Sequence, residues 1–471
     1  MFLNRVQELQ WLTQRYESDD AEFVILTGRR RVGKTALLNE FATAKDGVYF
    51  LAYIDSADAL LRNLSAAVWG AEHGLKSTPG SYESWLGLFQ AIQRLSQAKR
   101  FLFILDEYPY LAGSSSHLAS VIQKMWDEHL QYTKLFFVLC SSYMSVMERD
   151  ILNRDAPLYG RRTAQLTVRP LTVQQSAAFL SGQSAVELIE TYALTGGMPA
   201  YLAQLRPNLS WWTNLSQTAF DPANILYHDG LSLLHEEMRD PRHYVAVLRA
   251  IANGAHTLTT LAREAGLERS SLPGYLTTLA GAGYVERRVP IGIARSSQQQ
   301  RGTWHIADPY IRFWGRYILP YTGAIEKGQG GGLVEQVLRP TWEQFVAITW
   351  EDLARDSVHT LANQRTPGFW PEAVGSWWHA QDQIDVVAVS YQQRIAWLGE
   401  ARWRNQPMSL ADLETLQQKG KRWQGNESGW RIYYALFSRS GFTQPLLDRA
   451  NADPEILLFD PATVISAEPY R

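Results

Sequence analysis

The segment Gly28-Arg29-Arg30-Arg31-Val32-Gly33-Lys34-Thr35 has the spacing GxxxxGK[ST], and its chemistry is phosphate binding. Its glycines let backbone N–H groups curl around a polyphosphate, and the helix behind them adds the partial positive charge of its N-terminus. Lys34 is placed to bridge the β and γ phosphates, Thr35 offers a hydroxyl to magnesium, and the turn through Ala36 completes the cradle. The side chains of Arg29, Arg30 and Arg31 have no required part and read as solvent-facing. At ordinary glycine frequency a chance match in a chain of 471 residues is on the order of one in fifty. The apolar run FVILT before the loop and the helical pattern TALLNEFA after it supply the strand, loop and helix the motif requires. ATP with magnesium is the expected ligand pair.

Another apolar run, FLFILD, closes on Asp106-Glu107. Paired with the phosphate loop, Asp106 is expected to hold magnesium through water and Glu107 to orient or deprotonate the attacking water. The run LFFVLC ends in Ser141-Ser142, where Ser141 reads either as a hydroxyl near the γ-phosphate or as a helix cap.

A second acidic group lies far downstream. If Tyr391 to Arg394 form a loop between the runs QIDVVAVS and RIAWLGEARW, Asp385 faces Glu400 across an antiparallel pair. Their Cβ atoms are then about 5 Å apart, close enough to share one magnesium ion, and Arg402 lies on the same face as Glu400.

These groups need scaffolds of two kinds. Over residues 1–180, short continuous apolar runs at 23–27, 48–54, 101–106 and 135–140 alternate with amphipathic helical patterns, which predicts a parallel sheet covered on both faces. Residues 181–240 read as a helical lid broken at TGGMP, 195–199. Residues 241–326 give three short helices and two strands, the pattern of a winged helix-turn-helix. The glycine density of KGQGGGL predicts a flexible linker over 327–333, ahead of a separate α/β module over 334–471.

Composition is that of an ordinary globular chain: 46% hydrophobic, 20% charged, net charge −2. That balance gives no global attraction to polyanions. One cysteine, Cys140, excludes an intramolecular disulfide framework and a Cys-rich zinc module, and fits the cytoplasm. The N-terminal MFLNRVQELQWL lacks signal-peptide character, and no apolar run approaches the roughly 18 residues of a membrane span.

Taken in order, FLNRVQEL, TGRRRVGKTALL, FILDEYPYL, the Ser141-Ser142 strand end, APLYGRRT, TGGMPAYL and WHIADPYIRFW resemble the archaeal-type ATPases, a branch of the AAA-like and STAND P-loop ATPases. The resemblance implies a P-loop NTPase sheet with a helical lid, a winged helix and a C-terminal PD-(D/E)XK, restriction-endonuclease-like module. It places Asn4 and Arg5 near the adenine, brings Arg161 or Arg162 to the phosphates in cis or from a neighbouring subunit, and assigns Gly197 and Pro199 to a lid over the nucleotide. In the last module Glu351 matches a third acidic position beside Asp385 and Glu400. The pattern Glu400-Ala401-Arg402 departs from the usual Glu-x-Lys, and arginine can position a water but not act as base. Metal-dependent DNA cleavage and a degenerate fold used for packing both stay open.

The candidate recognition segment, LERSSLPGYLTTLAGAG, carries one cation, Arg269, and is expected to be interrupted at Pro273 and Gly274. Arg287, Arg288, Arg295 and Arg301 in the wing are the alternative phosphate contacts. Two functions follow: an ATPase driving a DNA-associated module, or a nucleotide-dependent switch or scaffold. Homo-oligomer and partner protein are both compatible with either.

Overall fold

A computed structural model describes residues 3–74, 80–142, 147, 150–151, 153–180, 182–238, 240–292, 302–379, 381–425, 427 and 429–467. The chain forms two compact units, Met1–Pro170 and Leu171–Arg471.

The first unit is built on five parallel strands: β1 (Glu22–Thr27), β2 (Gly47–Leu51), β3 (Phe101–Asp106), β4 (Leu135–Ser141) and β5 (Ala164–Thr167), in the order β2-β3-β4-β1-β5. The three interior strands, β1, β3 and β4, are buried at every residue, as continuous apolar runs covered on both faces must be. At the edges, β2 and β5 alternate in burial. The four apolar runs in the sequence are four of these strands; the short β5, AQLT, has too little apolar signal to announce itself. A parallel sheet gathers its C-terminal strand ends along one edge, and there β1 delivers the phosphate loop, β3 the acidic pair and β4 the two serines.

The second unit opens on the short helix Val173–Ser176 and continues with the expected helices Ala185–Thr195 capped by Gly196, Pro199–Leu202, Trp211–Gln217 and Ile225–Glu237. The helices Pro241–Ala252, Leu258–Ala265 and Leu272–Gly281 follow, with an antiparallel wing of β6 (Val285–Arg288) and β7 (Thr303–Ile306). Pro273 and Gly274 do not interrupt the third helix. They fall in its first turn, where proline costs no hydrogen bond.

The glycine-rich segment departs from expectation. Gly330–Leu333 is helical and runs through a π-turn, Val334–Leu338, into the helix Arg339–Arg365. A Cβ on Gly330 would lie 2.7 Å from the Phe220 carbonyl oxygen, so this glycine serves a close approach of two backbones. The last sheet is mixed, in the order β12-β11-β10-β9-β8, from β8 (Ala373–His379), β9 (Asp382–Ser390), β10 (Ile395–Arg402), β11 (Arg431–Ser438) and β12 (Ile456–Phe459). The helix Arg339–Arg365 packs on β9 and β10, anchored by Trp350, whose indole N–H donates to the Phe437 carbonyl at 3.2 Å.

Candidate functional site

Gly28 leaves β1 directly against β5: a Cβ there would come within 2.5 Å of the Val168 carbonyl oxygen. Gly33 caps the helix Lys34–Ala42 at φ 94°, a left-handed conformation that side chains disfavour. Lys34 follows at the helix start and is buried. Its Nζ donates to the carbonyls of Gly28 (2.9 Å) and Arg29 (3.1 Å) and to Ser142 Oγ (2.8 Å). Burial lowers the Lys34 pKa, and the carboxylates of Glu107 and Asp106 work against that shift.

Thr35 Oγ1 donates to Asp106 Oδ2 at 2.8 Å, and the Tyr49 hydroxyl donates to the same oxygen at 2.7 Å. Burial and the Asp106 carboxylate push the Tyr49 phenol up, which keeps its proton available for that bond. Tyr49 was not singled out in the sequence. Its signal is a phenol inside the apolar run VYFLAYI, on the strand that pairs with β3.

Glu107 turns the corner from β3 into the helix Tyr108–Ser114 at φ 53°. Its Oε1 accepts from Ser142 Oγ at 2.8 Å, and its buried Oε2 has no hydrogen-bond partner among the described residues. A half-satisfied buried carboxylate is costly and is usually kept for chemistry. Ser142 supplies a hydroxyl to this group. Ser141 is still in β4, opposite Thr27 and fully buried, whereas Ser142 lies just past the strand end. The oxygen donors Thr35 and Asp106, with Lys34 beside them, fit a hard cation bound together with a polyphosphate.

Asn4 and Arg5 both have positive φ, 61° and 69°. Arg5 is buried and donates to the Val32 carbonyl at 2.8 Å and to Glu8 at 2.7 Å, so this residue, expected near the base, braces the phosphate loop itself.

In the second unit β9 and β10 pair from Ile395 opposite Ser390 to Gly399 opposite Val386, the register that sets Asp385 against Glu400. Asp385 accepts from the Ala401 N–H (3.1 Å) and from Gln383 Nε2 (3.1 Å). Glu351 lies near enough to feel it. Burial first, then the Asp385 charge, raises Glu351 to about 8, and the same two causes raise Glu400. The expected three-carboxylate metal site is nevertheless not assembled. Among the described residues no group of three or more His, Cys, Asp or Glu side chains is arranged to hold a metal ion. Glu400 is engaged by cations instead: Arg402 pairs with it, and Lys419, from the helix Leu410–Gln424, donates to both its oxygens at 2.9 and 3.1 Å. Lys419 comes from a different element, so its role has no local sequence signature.

Comparison with known proteins agrees with the phosphate site. Residues 2–205 match the model of an ATPase domain predominantly from Archaea, residues 244–289 an IclR helix-turn-helix domain, and residues 314–418 a family of archaeal and bacterial proteins of unknown function. The first of these matches spans the phosphate loop, the Asp106-Glu107 pair and the Ser141-Ser142 strand end. The chain is 29% identical over 406 residues to an uncharacterized protein of Methanocaldococcus jannaschii, covering 86% of this chain and 88% of that one. An uncharacterized ATP-binding protein of the same organism is 47% identical over 45 residues, 10% of this chain and 76% of that one. A Walker-type ATPase of Pyrococcus abyssi shares the fold at a TM-score of 0.51 and 19% identity, over 67% of this chain and 96% of that one.

Arg161 and Arg162 precede β5, which pairs in parallel with β1 from Val24 opposite Ala164 to Thr27 opposite Thr167. The phosphate loop leaves at the Thr27 end, so both arginines sit at the opposite end of the sheet. Arg161 is held there by a bidentate pair with Asp127, both contacts 2.8 Å, and Arg162 donates to the Ile151 carbonyl at 3.5 Å. In this structure neither arginine is directed at the phosphate loop of its own chain. Gly197 and Pro199 belong to the second unit. Gly197 accepts from the Leu171 N–H at 2.9 Å, and a Cβ on it would collide with the Leu171 carbonyl; Pro199 opens the helix Pro199–Leu202.

The wing is also committed. Arg288 pairs with Glu286 (2.6 Å) and Asp352 (2.6 Å), and Asp352 in turn receives Arg312 (2.9 Å) and Arg355 (2.5 Å). Just after β6, the Ile291 N–H donates to the Ser376 carbonyl of β8 at 2.8 Å, and Trp423 donates to the Ile291 carbonyl at 3.0 Å. Arg295 and Arg301 lie outside the described residues. Arg269 is exposed, and Leu272, Leu276 and Leu279 turn inward from the third helix, leaving Thr277 and Thr278 outward.

Proposed function

We propose that this chain hydrolyses ATP with magnesium and uses the nucleotide cycle to set the state of its winged-helix and C-terminal parts. The observation that carries the reading is the chain of hydrogen bonds from Lys34 through Ser142 to Glu107, beside the Thr35–Asp106 pair. Lys34 would bind the β and γ phosphates, while Thr35 and Asp106 would hold the magnesium shell. Magnesium, when bound, neutralises charge developing on the transferring phosphoryl group. Glu107, with one oxygen free to accept, would take the proton of the attacking water. DNA is the proposed partner of the winged helix. The C-terminal module is read as restriction-endonuclease-like from its mixed sheet and the Asp385–Glu400 register.

A second reading, in which nucleotide sets an assembly state and the nuclease-like site is inactive, is favoured by one specific arrangement. Glu400 is neutralised by Lys419 and Arg402 rather than aimed with Asp385 and Glu351 at a common metal point. Steady-state ATP turnover with and without duplex DNA, for the unaltered chain and for Lys34→Ala, separates the two. Turnover that is lost in Lys34→Ala and stimulated by DNA supports the first reading. Nucleotide binding without turnover supports the second.

A further inference from the structure

A cavity of about 470 Å³ lies within the second unit, far in sequence from the phosphate loop. The last turn of the helix Pro241–Ala252 and its exit contribute Ile251 and Asn253, the wing side contributes His256 and His305, and two later helices contribute Arg316, Tyr321, Val337 and Phe345. We propose that this cavity is a binding site for a small organic anion bearing a flat ring, with Arg316 as the partner of the anionic group.

Size is the first support. About 150 Å³ already admits a benzene-sized molecule, so the cavity holds a ring and a charged substituent together. Charge is the second. Arg312 and Arg316 both line the space. Arg312 is consumed by Asp352, Thr349 and the Ile306 carbonyl, whereas among the described residues no carboxylate pairs with Arg316, which lies against the Tyr317 ring at 5.5 Å. The nearby His305 does not supply charge: burial, together with Arg288 and His256, lowers its pKa to about 3. The ring stacks on His256 at 4.4 Å and gives the cavity a flat, neutral wall. Tyr321, Phe345, Ile251 and Val337 complete an apolar surface suited to a ring.

The backbone around the cavity is the third support. Two π-helical turns, Trp314–Ile318 and Val334–Leu338, both face it and deliver Arg316, Tyr317 and Val337. A π-turn inserts one extra residue into a helix at an energetic cost and tends to persist where it aims side chains at a ligand. Here two of them converge on one space.

The test is calorimetric titration of the full chain with benzoate and phenyl phosphate, set against neutral benzamide and against inorganic phosphate. Saturable binding of either ring-bearing anion, at least tenfold tighter than both controls, is expected, and the two anions tell a carboxylate site from a phosphate site. Repeating it in Lys34→Ala, which disables the phosphate loop, confines the signal to the cavity. Arg316→Gln should weaken the anion at least tenfold. Val337→Phe, which fills the space without touching a charge, should do the same, with an unaltered circular dichroism spectrum reporting an intact fold. Equal binding of benzamide, affinity unchanged in both variants, or saturable binding of neither anion overturns the proposal.

Discussion

Ser142 donates its hydroxyl hydrogen to Glu107 Oε1 at 2.8 Å while its oxygen accepts from Lys34 Nζ at 2.8 Å. One serine therefore couples the cation expected to meet the γ-phosphate to the base expected to meet the water. A triphosphate drawing Lys34 toward itself would loosen the first bond and leave Ser142 and Glu107 to reorient. Ser142→Ala should lower kcat about 10-fold or more with little change in KM, because the lost bond positions a base rather than binding substrate. A proportional rise in KM at constant kcat would instead place Ser142 in ground-state binding.

Glu107→Gln keeps the Ser142 bond but removes the proton acceptor. Turnover should fall by about 10²- to 10⁴-fold while ATP binding, followed by a fluorescent analogue, is retained. Unchanged turnover would remove Glu107 from the chemistry.

Arg161 presents the opposite situation. Its bidentate pair with Asp127 lies at the sheet end away from the phosphate loop, so Arg161→Ala should leave turnover within about twofold. A loss approaching the 10³-fold typical of an arginine finger would mean that the arginine serves a neighbouring subunit. Mixing Arg161→Ala with Lys34→Ala protein would then restore part of the rate.

His305 gives the second unit an acid sensitivity whose sign can be worked out. Its folded pKa lies near 3 against 6.5 for an ordinary histidine, so between those values the unfolded chain binds the proton and the folded chain does not. The stability gained by keeping His305 neutral is whole above about pH 6.5 and is lost as pH falls toward 3. Burial is the main cause, aided by the facing Arg288, His256 and Arg312 and opposed by Asp352. His305→Asn should be less destabilised than the unaltered chain on going from pH 7 to 4.5, by at most about 2.7 kcal/mol at 1.36 per pH unit. Urea midpoints at the two pH values provide the measurement.

The sequence was most readable where chemistry and period coincide. The run FLFILD is β3 to the residue, and the loop Tyr391 to Arg394 sets the β9–β10 register that opposes Asp385 and Glu400. Legibility failed where a contact is made across elements. Ser141 and Ser142 are indistinguishable on the page, and only the pairing of Thr27 with Ser141 shows which one remains in the sheet. Arg161 could not be separated from a surface arginine until β5, four residues long, fixed its end of the sheet. The glycines of 327–333 suggested a hinge because composition records freedom in the unfolded chain, not the close packing of Gly330 on Phe220.

Lys419 carries the last prediction. The objection to cleavage by the C-terminal module is that Arg402 cannot lose a proton, yet a lysine stands on Glu400 at 2.9 Å from a separate helix. The ammonium absent from the Glu-x-Lys pattern is therefore present in space, supplied by the helix Leu410–Gln424. Manganese entering between Asp385 and Glu400 must compete with the Lys419 ammonium for the same oxygens. Lys419→Met should therefore tighten manganese binding by calorimetry, since it removes a competing cation. If the module cleaves phosphodiesters, the same variant should lose metal-dependent cleavage by about 10²-fold or more, while Arg402→Lys changes it little. Tighter metal with no cleavage in either form would identify a binding module governed by the ATPase. Metal affinity unchanged by Lys419→Met, and abolished by neither Asp385→Asn nor Glu400→Gln, would remove the carboxylates from metal binding altogether.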